Sequence, residues 1–448
     1  MSIQARSLVA VAALSLGGCS IADLYSRRAT VYNAESEQAH DQGLLLNIVR
    51  AALRRPRQYT VVQQISGQAQ ATGGFNLTFP FGPHVGGNPN VAFLSGSAQG
   101  GPTFQVATLE TNEFFQGLMQ PIPAQLIDLY FHSEFPRDVL LNLFIEKIVM
   151  RSTGPGCALR NHEPRCEITF QNYPGTDVQL ELFQALAGYL IDLGLSTEQI
   201  AAAPKNGSTG GDKDKGGACA AAPCLDYEFC FTPRMHRAAS LVPSDLVCGT
   251  PEAARRVALS RLGRVSHVGG VIISEELGSL WSAIVAGHAD DWSARAFRGI
   301  ERFSGQRVAL TIYTRSTETA VYYVGEVVRR QLYPDLNVPR HVQIKTGPPF
   351  NPFPLVPCSL APHPPSGWSC ADIFVVDVNN YLGADLTFSV KYEGVQYSIP
   401  ADPGAGSSYS SRAGASYTVL SILRQLLILN TKPTSLPSTA VLAIRSSP

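Results

Sequence analysis

The chain has 448 residues, and its 35 lysines and arginines balance its 35 aspartates and glutamates, which gives a formal net charge of zero. This balance does not favour nucleic acid as a partner, because nucleic-acid-binding proteins present an excess of basic residues. Hydrophobic residues make up 45% of the sequence, a fraction typical of a globular protein with a full core. Beyond the N-terminal segment, no apolar run is long enough to cross a bilayer.

The first 18 residues have the layout of a secretory signal peptide, in which Arg6 precedes an apolar run from Leu8 to Leu16. The run ends in Leu16-Gly17-Gly18-Cys19, which resembles the lipobox of bacterial lipoproteins. The resemblance implies that residues 1–18 are removed and that Cys19 carries lipid. Two other interpretations fit less well. A chance cysteine after an ordinary signal peptide does not explain the tetrapeptide, and an apolar span of ~10 residues is too short for a transmembrane helix.

The lipoprotein resemblance also predicts a location. Two or three acyl chains on one cysteine form a durable membrane anchor, whereas a single chain binds only marginally. In Gram-negative lipoproteins, an aspartate after the lipidated cysteine favours retention in the inner membrane. This chain has Ser20 there, so we expect a lipid-anchored protein on the periplasmic face of the outer membrane, with residues 19–32 as the tether.

The N-terminal half predicts helices, strands and one long loop. Apolar residues at helical spacing indicate a helix over 33–53 that ends before Pro56. Thr176 and Gln179 form a capping-box pattern at the start of another helix, and Gly194 is suited to end it. The predicted elements are this helix over 33–53, a strand over 59–65, a long exposed loop or irregular hairpin over 72–102, two helices over 123–149 divided at Pro136, and the helix over 176–194.

The second half predicts strands alternating with helices. Val321, Val324, Val328 and Leu332 recur at three- and four-residue spacing and form one apolar stripe. We expect this stripe to pack on a sheet that includes a hairpin turning at Glu393-Gly394. The predicted strands cover 268–274, 308–313, 373–378, 386–392, 395–399 and 441–444, and the predicted helices cover 276–286, 316–332 and 417–429.

These elements predict an α+β or mixed α/β fold in which antiparallel hairpins pack against amphipathic helices and disulfides pin the loops. Residues 201–225 contain mostly Ala, Gly, Lys and Asp without periodicity, which is typical of a flexible linker or insertion. This segment divides the predicted organisation into an N-terminal mixed helical and strand domain over 33–200 and a C-terminal α/β domain over 226–448.

Nine cysteines fit an exported protein. With Cys19 lipidated, an even number remains, which favours disulfides in an oxidising compartment. The simplest pairing joins neighbours in sequence, although three connectivities remain open for the middle four. The competing interpretation is zinc, but the repeated two-to-four-residue spacing of structural zinc sites is absent, so we expect neither metal nor cofactor. The preferred pairs are Cys157 with Cys166, Cys219 with Cys224, Cys230 with Cys248, and Cys358 with Cys370.

A second resemblance concerns the C-terminal half. The segments Tyr313–Ser316, Tyr322–Arg329, Lys391–Pro400 and Leu436–Thr439 resemble a group of uncharacterised lipobox-bearing outer-membrane lipoproteins of Gram-negative bacteria. The resemblance covers about half of the chain. It implies no reaction, so no catalytic residue can be transferred from it.

Short catalytic motifs are absent from the sequence. There is no Gly-x-Ser-x-Gly, Ser-x-x-Lys or His-Glu-x-x-His, and no phosphate-binding or dinucleotide-binding glycine motif. This absence weakens an enzymatic interpretation. It does not exclude one, because glycosidases that use a carboxylate pair carry no short motif.

Three polar groups are candidates for function, and each also has a structural explanation. Residues 288–292, His-Ala-Asp-Asp-Trp, suit a metal or sugar site, but aspartates are also favoured helix caps. Arg50, Arg54, Arg55 and Arg57 suit anionic headgroups, but arginines also complement a helix C-terminus. The third group consists of Arg315, Glu318, Glu326 and Arg329. The spacings of these residues are compatible with one polar site or with surface ion pairs.

The sequence therefore favours an outer-membrane lipoprotein with a noncatalytic binding or scaffolding role in an envelope assembly. The expected partners are the membrane, through the N-terminal lipid, and an envelope protein or glycan. The alternative is an anchored hydrolase of cell-wall glycan or polysaccharide that uses paired carboxylates. Buried carboxylates about 5 to 10 Å apart in a cleft would favour the hydrolase.

Overall fold

Helices and antiparallel strands are mixed along the chain in the computed structural model, which confirms the predicted α+β class. The structure describes residues 30–430 except for 32, 68–69, 74–95, 100–101, 109–110, 123, 134, 153–165, 176, 202–224, 233–240, 243, 250–264, 334–340, 348–352, 361–364, 380–383 and 402–412. Most of the predicted 72–102 loop, all but the ends of the 201–225 linker, and the predicted strand over 441–444 lie outside the described residues.

The helices and strands alternate irregularly. The helices are α1 (30–52), α2 (Asn112–Met119), α3 (Ala124–His132), α4 (Arg137–Phe144), α5 (Asp177–Asp192), α6 (Glu275–Gly287), α7 (Thr317–Leu332) and α8 (Ser416–Asn430). The strands are β1 (Thr60–Gly67), β2 (Gln70–Gly73), β3 (Gly96–Gln99), β4 (Pro102–Thr108), β5 (Ile145–Ser152), β6 (Glu167–Gln171), β7 (Leu195–Ala201), β8 (Leu225–Phe231), β9 (Val265–Ile272), β10 (Arg307–Thr314), β11 (Gln343–Thr346), β12 (Ser369–Asp372), β13 (Asp377–Val378), β14 (Ala384–Tyr392) and β15 (Val395–Pro400).

The chain separates into two compact units. The first contains residues 1–40, 58–111 and 432–448, and its described strands form two antiparallel pairs, β1 with β4 and β2 with β3. The second contains residues 41–57 and 112–431. The predicted linker over 201–225 falls inside this second unit, so the two units divide the chain differently from the sequence-based domains.

A four-stranded antiparallel sheet in the order β6-β5-β10-β9 lies at the centre of the second unit. Alternate residues of β10 are buried, from Val308 to Thr314, because successive strand side chains point to opposite faces. The sheet pairs Ser152 with Val308. Its strands therefore come from both sides of the predicted linker, and this pairing holds the two halves in one unit.

Helix α5 is buried along almost its whole length. Nearly every side chain from Val178 to Asp192 is buried, and the helix contacts α4, α6 and β6. It ends as the sequence predicts, since Gly194 has a φ of 86° and its amide donates to the Ile191 carbonyl. Such a helix is a rigid support for the few polar side chains that it carries.

Helix α7 begins at its N-cap Ser316, which forms a capping box with Thr319. The predicted stripe is buried, and Val321, Val324 and Val328 have no exposed surface. Helix α7 packs against α1, α2, α4 and α8, and the hairpin strand β14 places Phe388 against Tyr417 of α8. The stripe and the hairpin residues Phe388, Val390 and Tyr392 belong to the same hydrophobic core, so direct packing of the stripe on the hairpin stays a prediction.

Two predicted boundaries also change. The predicted second helix within 123–149 ends at Phe144, and β5 begins at Ile145, because apolar residues then alternate with polar ones instead of following a helical period. Residues 373–376 are buried as predicted but only Asp377–Val378 pairs as a strand. The hairpin is confirmed: Glu393 and Gly394 have φ values of 49° and 84°, as a two-residue turn with two left-handed positions requires.

Candidate functional site

A pocket of about 300 Å³ lies along one face of α5 in the second unit. Four of its lining residues are on α5 and are spaced three or four residues apart, so they share that face of the helix. Most of the lining is polar or charged, and such groups fix the orientation of a bound ligand. The lining residues are Asp177, Leu180, Glu181, Gln184, Arg330, His341, Val342, Gln343 and Ser359.

Asp177 and Arg330 form an ion pair in this pocket. The Arg330 Nη2 lies 3.2 Å from the Asp177 Oδ1, and only 3% of the Arg330 side chain is exposed. Burial raises the pKa of Asp177, an effect that the positive charge of Arg330 opposes. Burial likewise lowers the pKa of Arg330 while Asp177 raises it. Each charge therefore stabilises the other in a place where either one alone would be costly.

Glu181 lies one helical turn from Asp177 and is held at both oxygens. Its Oε2 lies 2.9 Å from the His288 Nε2, and its Oε1 accepts a hydrogen bond of 2.8 Å from the Ser359 hydroxyl. Only 7% of the Glu181 side chain is exposed. The carboxylate is thus fixed in orientation by partners from two other segments of the chain.

Gln184 and His341 complete the polar lining. The Gln184 Nε2 donates to the backbone carbonyl of Gln343 at 3.0 Å, so this amide joins α5 to β11. His341 is half-exposed, and its Nδ1 lies 3.0 Å from the Asp372 Oδ2. The pocket therefore has a fixed polar wall on α5 and a more accessible histidine on the facing segment.

The predicted polar site of Arg315, Glu326 and Arg329 is not one site. Arg315 precedes the N-cap of α7 and is buried, and its guanidinium donates to the backbone carbonyls of Asn142 and Asn172. Its Cζ also lies 3.9 Å from the centre of the Tyr323 ring. Burial lowers the pKa of Arg315 to about 10. Arg315 thus joins α7 to α4 and the end of β6, which is a structural role.

Glu326 and Arg329 instead contact α1. Arg54 Nη2 lies 3.1 Å from Glu326, and the Arg329 guanidinium donates to the Ala52 carbonyl at 3.1 Å. Burial raises the pKa of Glu326, whereas the arginines around it lower it, Arg54 most strongly. These two residues fasten the C-terminal end of α1 to α7.

The arginine cluster of residues 50–57 takes part in the same packing. Arg57 donates to Glu318 at 2.6 Å, and Arg55 lies 3.3 Å from Glu393. Arg50 lies over the Tyr392 ring at 5.6 Å. Contacts to protein groups therefore account for these side chains, which favours their structural explanation over binding to lipid headgroups.

The structure also separates the residues of the 288–292 motif. Asp291 is the N-cap of a short 3-10 helix, Trp292–Phe297, and its carboxylate accepts from the Ser293 amide at 2.8 Å. Trp292 is 74% exposed. The aspartate is thus a helix cap, while His288 turns to Glu181 and joins the pocket network.

Two of the predicted disulfides are present, Cys230–Cys248 and Cys358–Cys370. Cys166 is also disulfide-bonded. Cys19, Cys157, Cys219 and Cys224 lie outside the described residues. Within the described part, one group of three metal-ligand side chains lies close together: Glu198 with Cys230 and Cys248. Because these two sulfurs are bonded to each other, they offer no thiolate to a metal.

Comparison of the chain with known protein families, curated proteins and solved structures finds no match. Among the residues that the structure describes, no helix has both the length and the apolar character needed to span a bilayer.

Sequence reasoning did not identify the pocket. A signal was present on α5, where Asp177 and Glu181 stand one turn apart in a helix that is otherwise mostly apolar. Charged residues are rarely buried unless they are paired, so this spacing pointed to partners elsewhere. Those partners, Arg330, His288 and Ser359, lie more than 100 residues away and carry no local signal.

Proposed function

We propose that this protein is a lipid-anchored outer-membrane lipoprotein, facing the periplasm, that binds an envelope component without transforming it. The run Leu16-Gly17-Gly18-Cys19 supports the anchor, and Ser20 supports the outer membrane. The observation that carries the binding role is the pocket on α5, whose two carboxylates are both bonded to protein partners.

These bonds argue for binding over hydrolysis. A retaining glycosidase needs one carboxylate as a nucleophile, and an inverting glycosidase needs one as a base beside water. Glu181 has both oxygens occupied, by His288 and Ser359, and Asp177 is paired with a buried arginine. A fixed network of polar side chains is suited to hold a ligand in one orientation.

Glycan hydrolysis is the second candidate, and one observation favours it. Asp177 and Glu181 lie one turn apart in a pocket, and burial raises the pKa of Asp177, as a general acid requires. Incubation of the purified protein with cell-wall glycan and soluble polysaccharides, followed by measurement of new reducing ends, tests this role. We expect no new reducing ends. If the wild-type protein releases reducing ends and Glu181→Gln does not, the protein is a hydrolase and the binding role is wrong.

The anchor is tested in cells of a Gram-negative host grown with an alkyne-tagged fatty acid. Wild-type protein should take up the label and fractionate with the outer membrane, while Cys19→Ser should be unlabelled. Labelling of Cys19→Ser would contradict lipidation, and labelled wild-type protein in the inner membrane would contradict the sorting. Crosslinking in intact cells and mass spectrometry of the anchored complexes would then identify the bound component.

A further inference from the structure

We propose that the pocket on α5 binds a compact ligand through a primary ammonium group, the chemistry of an amino sugar or a small aliphatic amine. This inference rests on the proposed binding role and names the class of ligand for it. It follows from the charge of the lining, from the atoms left open to a ligand and from the size of the pocket.

The charge of the lining favours a cation. Asp177 and Glu181 contribute two negative charges, and Arg330 contributes one positive charge. The histidines nearest to these groups each face an acid of their own, His288 facing Glu181 and His341 facing Asp372. Among Asp177, Glu181 and Arg330 the carboxylates exceed the guanidinium by one charge, which attracts a cationic ligand and repels an anionic one.

The open atoms are hydrogen-bond acceptors. Arg330 contacts Oδ1 of Asp177 and leaves Oδ2, while Gln184 donates from Nε2 and leaves its carbonyl oxygen. No residue in the described part of the chain bonds to either of these two oxygens. Gln184 lines the pocket, and 7% of the residue is exposed. A donor on a ligand in the pocket can therefore bond to these oxygens without displacing a protein partner.

The donors of the pocket are largely committed to protein acceptors. The Ser359 hydroxyl donates to Glu181, the Gln184 amide donates to a backbone carbonyl, and Nη2 of Arg330 donates to Asp177. Nε of Arg330 is buried and makes no hydrogen bond to the described residues. A carboxylate or phosphate ligand needs donors, whereas an ammonium group supplies three. Two open oxygens stand against this one nitrogen of Arg330, and the excess of acceptors matches an amine better than an acid.

The size of the pocket restricts the ligand further. About 300 Å³ is at the lower end of the ~300–1,000 Å³ range of ligand pockets. Such a volume accommodates a single sugar or a short amine, and Leu180 and Val342 offer a small apolar surface for its carbon skeleton. The pocket would thus hold one terminal unit of a larger envelope molecule rather than a long chain.

Isothermal titration calorimetry of the purified full-length protein with glucosamine tests the inference, at a pH where the amine is protonated. Glucosamine should bind saturably, and N-acetylglucosamine, glucose and glucuronate should bind at least tenfold more weakly. 1,4-Diaminobutane, which shares only the amine, should compete. Equal binding of glucosamine and the neutral sugars, tighter binding of glucuronate, or no binding of either amine would overturn the proposal.

Matched variants locate the binding. Asp177→Asn should weaken glucosamine binding about tenfold, because the ammonium loses a charged acceptor. Asp41→Asn is the control, since Asp41 also pairs with an arginine, Arg424, but does not line the pocket. Gln184→Met removes the open oxygen without removing a charge and should also weaken glucosamine binding. It is the variant to use if Asp177→Asn fails to fold. Unchanged affinity in Gln184→Met would overturn the assignment. Fatty-acid labelling at Cys19 is independent of these results. Absence of glucosamine binding would therefore not contradict the proposed lipid anchor.

Discussion

The contact between α1 and α7 allows a sharp test at one glycine. A Cβ placed on Gly325 would lie 2.5 Å from the Ala51 Cβ and 3.1 Å from the Ala52 backbone nitrogen. The first contact is far below a normal carbon separation, and both neighbours belong to a packed helix that cannot move as a flexible side chain does. We therefore expect Gly325→Ala to force α1 and α7 apart.

The expected magnitude follows from two opposing effects. Overpacking a well-packed site costs ~1–3 kcal/mol, while replacing glycine by alanine inside a helix gains up to ~1 kcal/mol. With the full gain of ~1 kcal/mol subtracted, Gly325→Ala should lower the free energy of unfolding by up to about 2 kcal/mol. Urea denaturation followed by tryptophan fluorescence is a suitable assay, because Trp281 is fully buried and reports on loss of the core.

Gly43 of α1 provides the control, because a Cβ there meets nothing within 4 Å. Gly43→Ala gains the helix propensity without the clash and should stabilise the protein by up to ~1 kcal/mol. Adding Ala51→Gly to Gly325→Ala removes the colliding methyl group and should recover stability relative to the sum of the two single changes. A stabilised Gly325→Ala variant, or a double variant that is simply additive, would refute the proposed close approach.

Three other predictions concern the core, a disulfide and a buried lysine. Trp281→Ala should lower the free energy of unfolding, measured by urea denaturation, by ~3–5 kcal/mol. Trp292→Ala, at a site 74% exposed, should change it by less than ~0.5 kcal/mol. Equal effects of the two substitutions would contradict the assigned burial. Replacing both cysteines of Cys358–Cys370, which are 12 residues apart, by serine should cost ~2–4 kcal/mol, and a midpoint equal to that of wild type would count against a stabilising bridge. Burial lowers the pKa of Lys345 from 10.5 to about 8. Between these two pH values the unfolded chain holds a proton that the folded chain has lost. The free energy of unfolding should therefore rise from pH 8 to pH 10. Lys345→Met should flatten that rise, and an unchanged slope would contradict the shifted pKa.

Local signals in the sequence were sufficient for many elements of the second unit. Ser316 begins α7 and Gly194 follows α5, because a hydroxyl cap and a left-handed glycine satisfy helix ends by contacts within a few residues. The pairing of β5 with β10 had no such signal. Antiparallel strands of similar composition can pair in many combinations, and only the packed core selects one. The sequence therefore suggested two domains divided at the linker, whereas in the structure strands from both sides of the linker share one sheet.

The candidate site was harder to predict than the fold. Helical spacing alone suggested that Arg315 and Glu326 share a face, but Arg315 precedes the first turn of α7, so its side chain turns to Asn142 and Asn172. The pocket depends on segments that converge only after folding. Asp177 and Glu181 were visible as an acidic pair on one helix, whereas the partners that fix them were not.

The arrangement of the central sheet has a consequence for biogenesis. Strands β5 and β6 are synthesised as neighbours, yet the other edge of β5 pairs with β10, and Ser152 reaches its partner Val308 only after a long intervening stretch has been made. At translation rates of ~5–20 residues per second, that delay is on the order of 10 s. During this interval the nascent β5 edge exposes unpaired backbone amides and carbonyls, which are a template for aggregation. In a chain of this topology the β5 edge is therefore protected only once the β10 strand has been made and has paired with it.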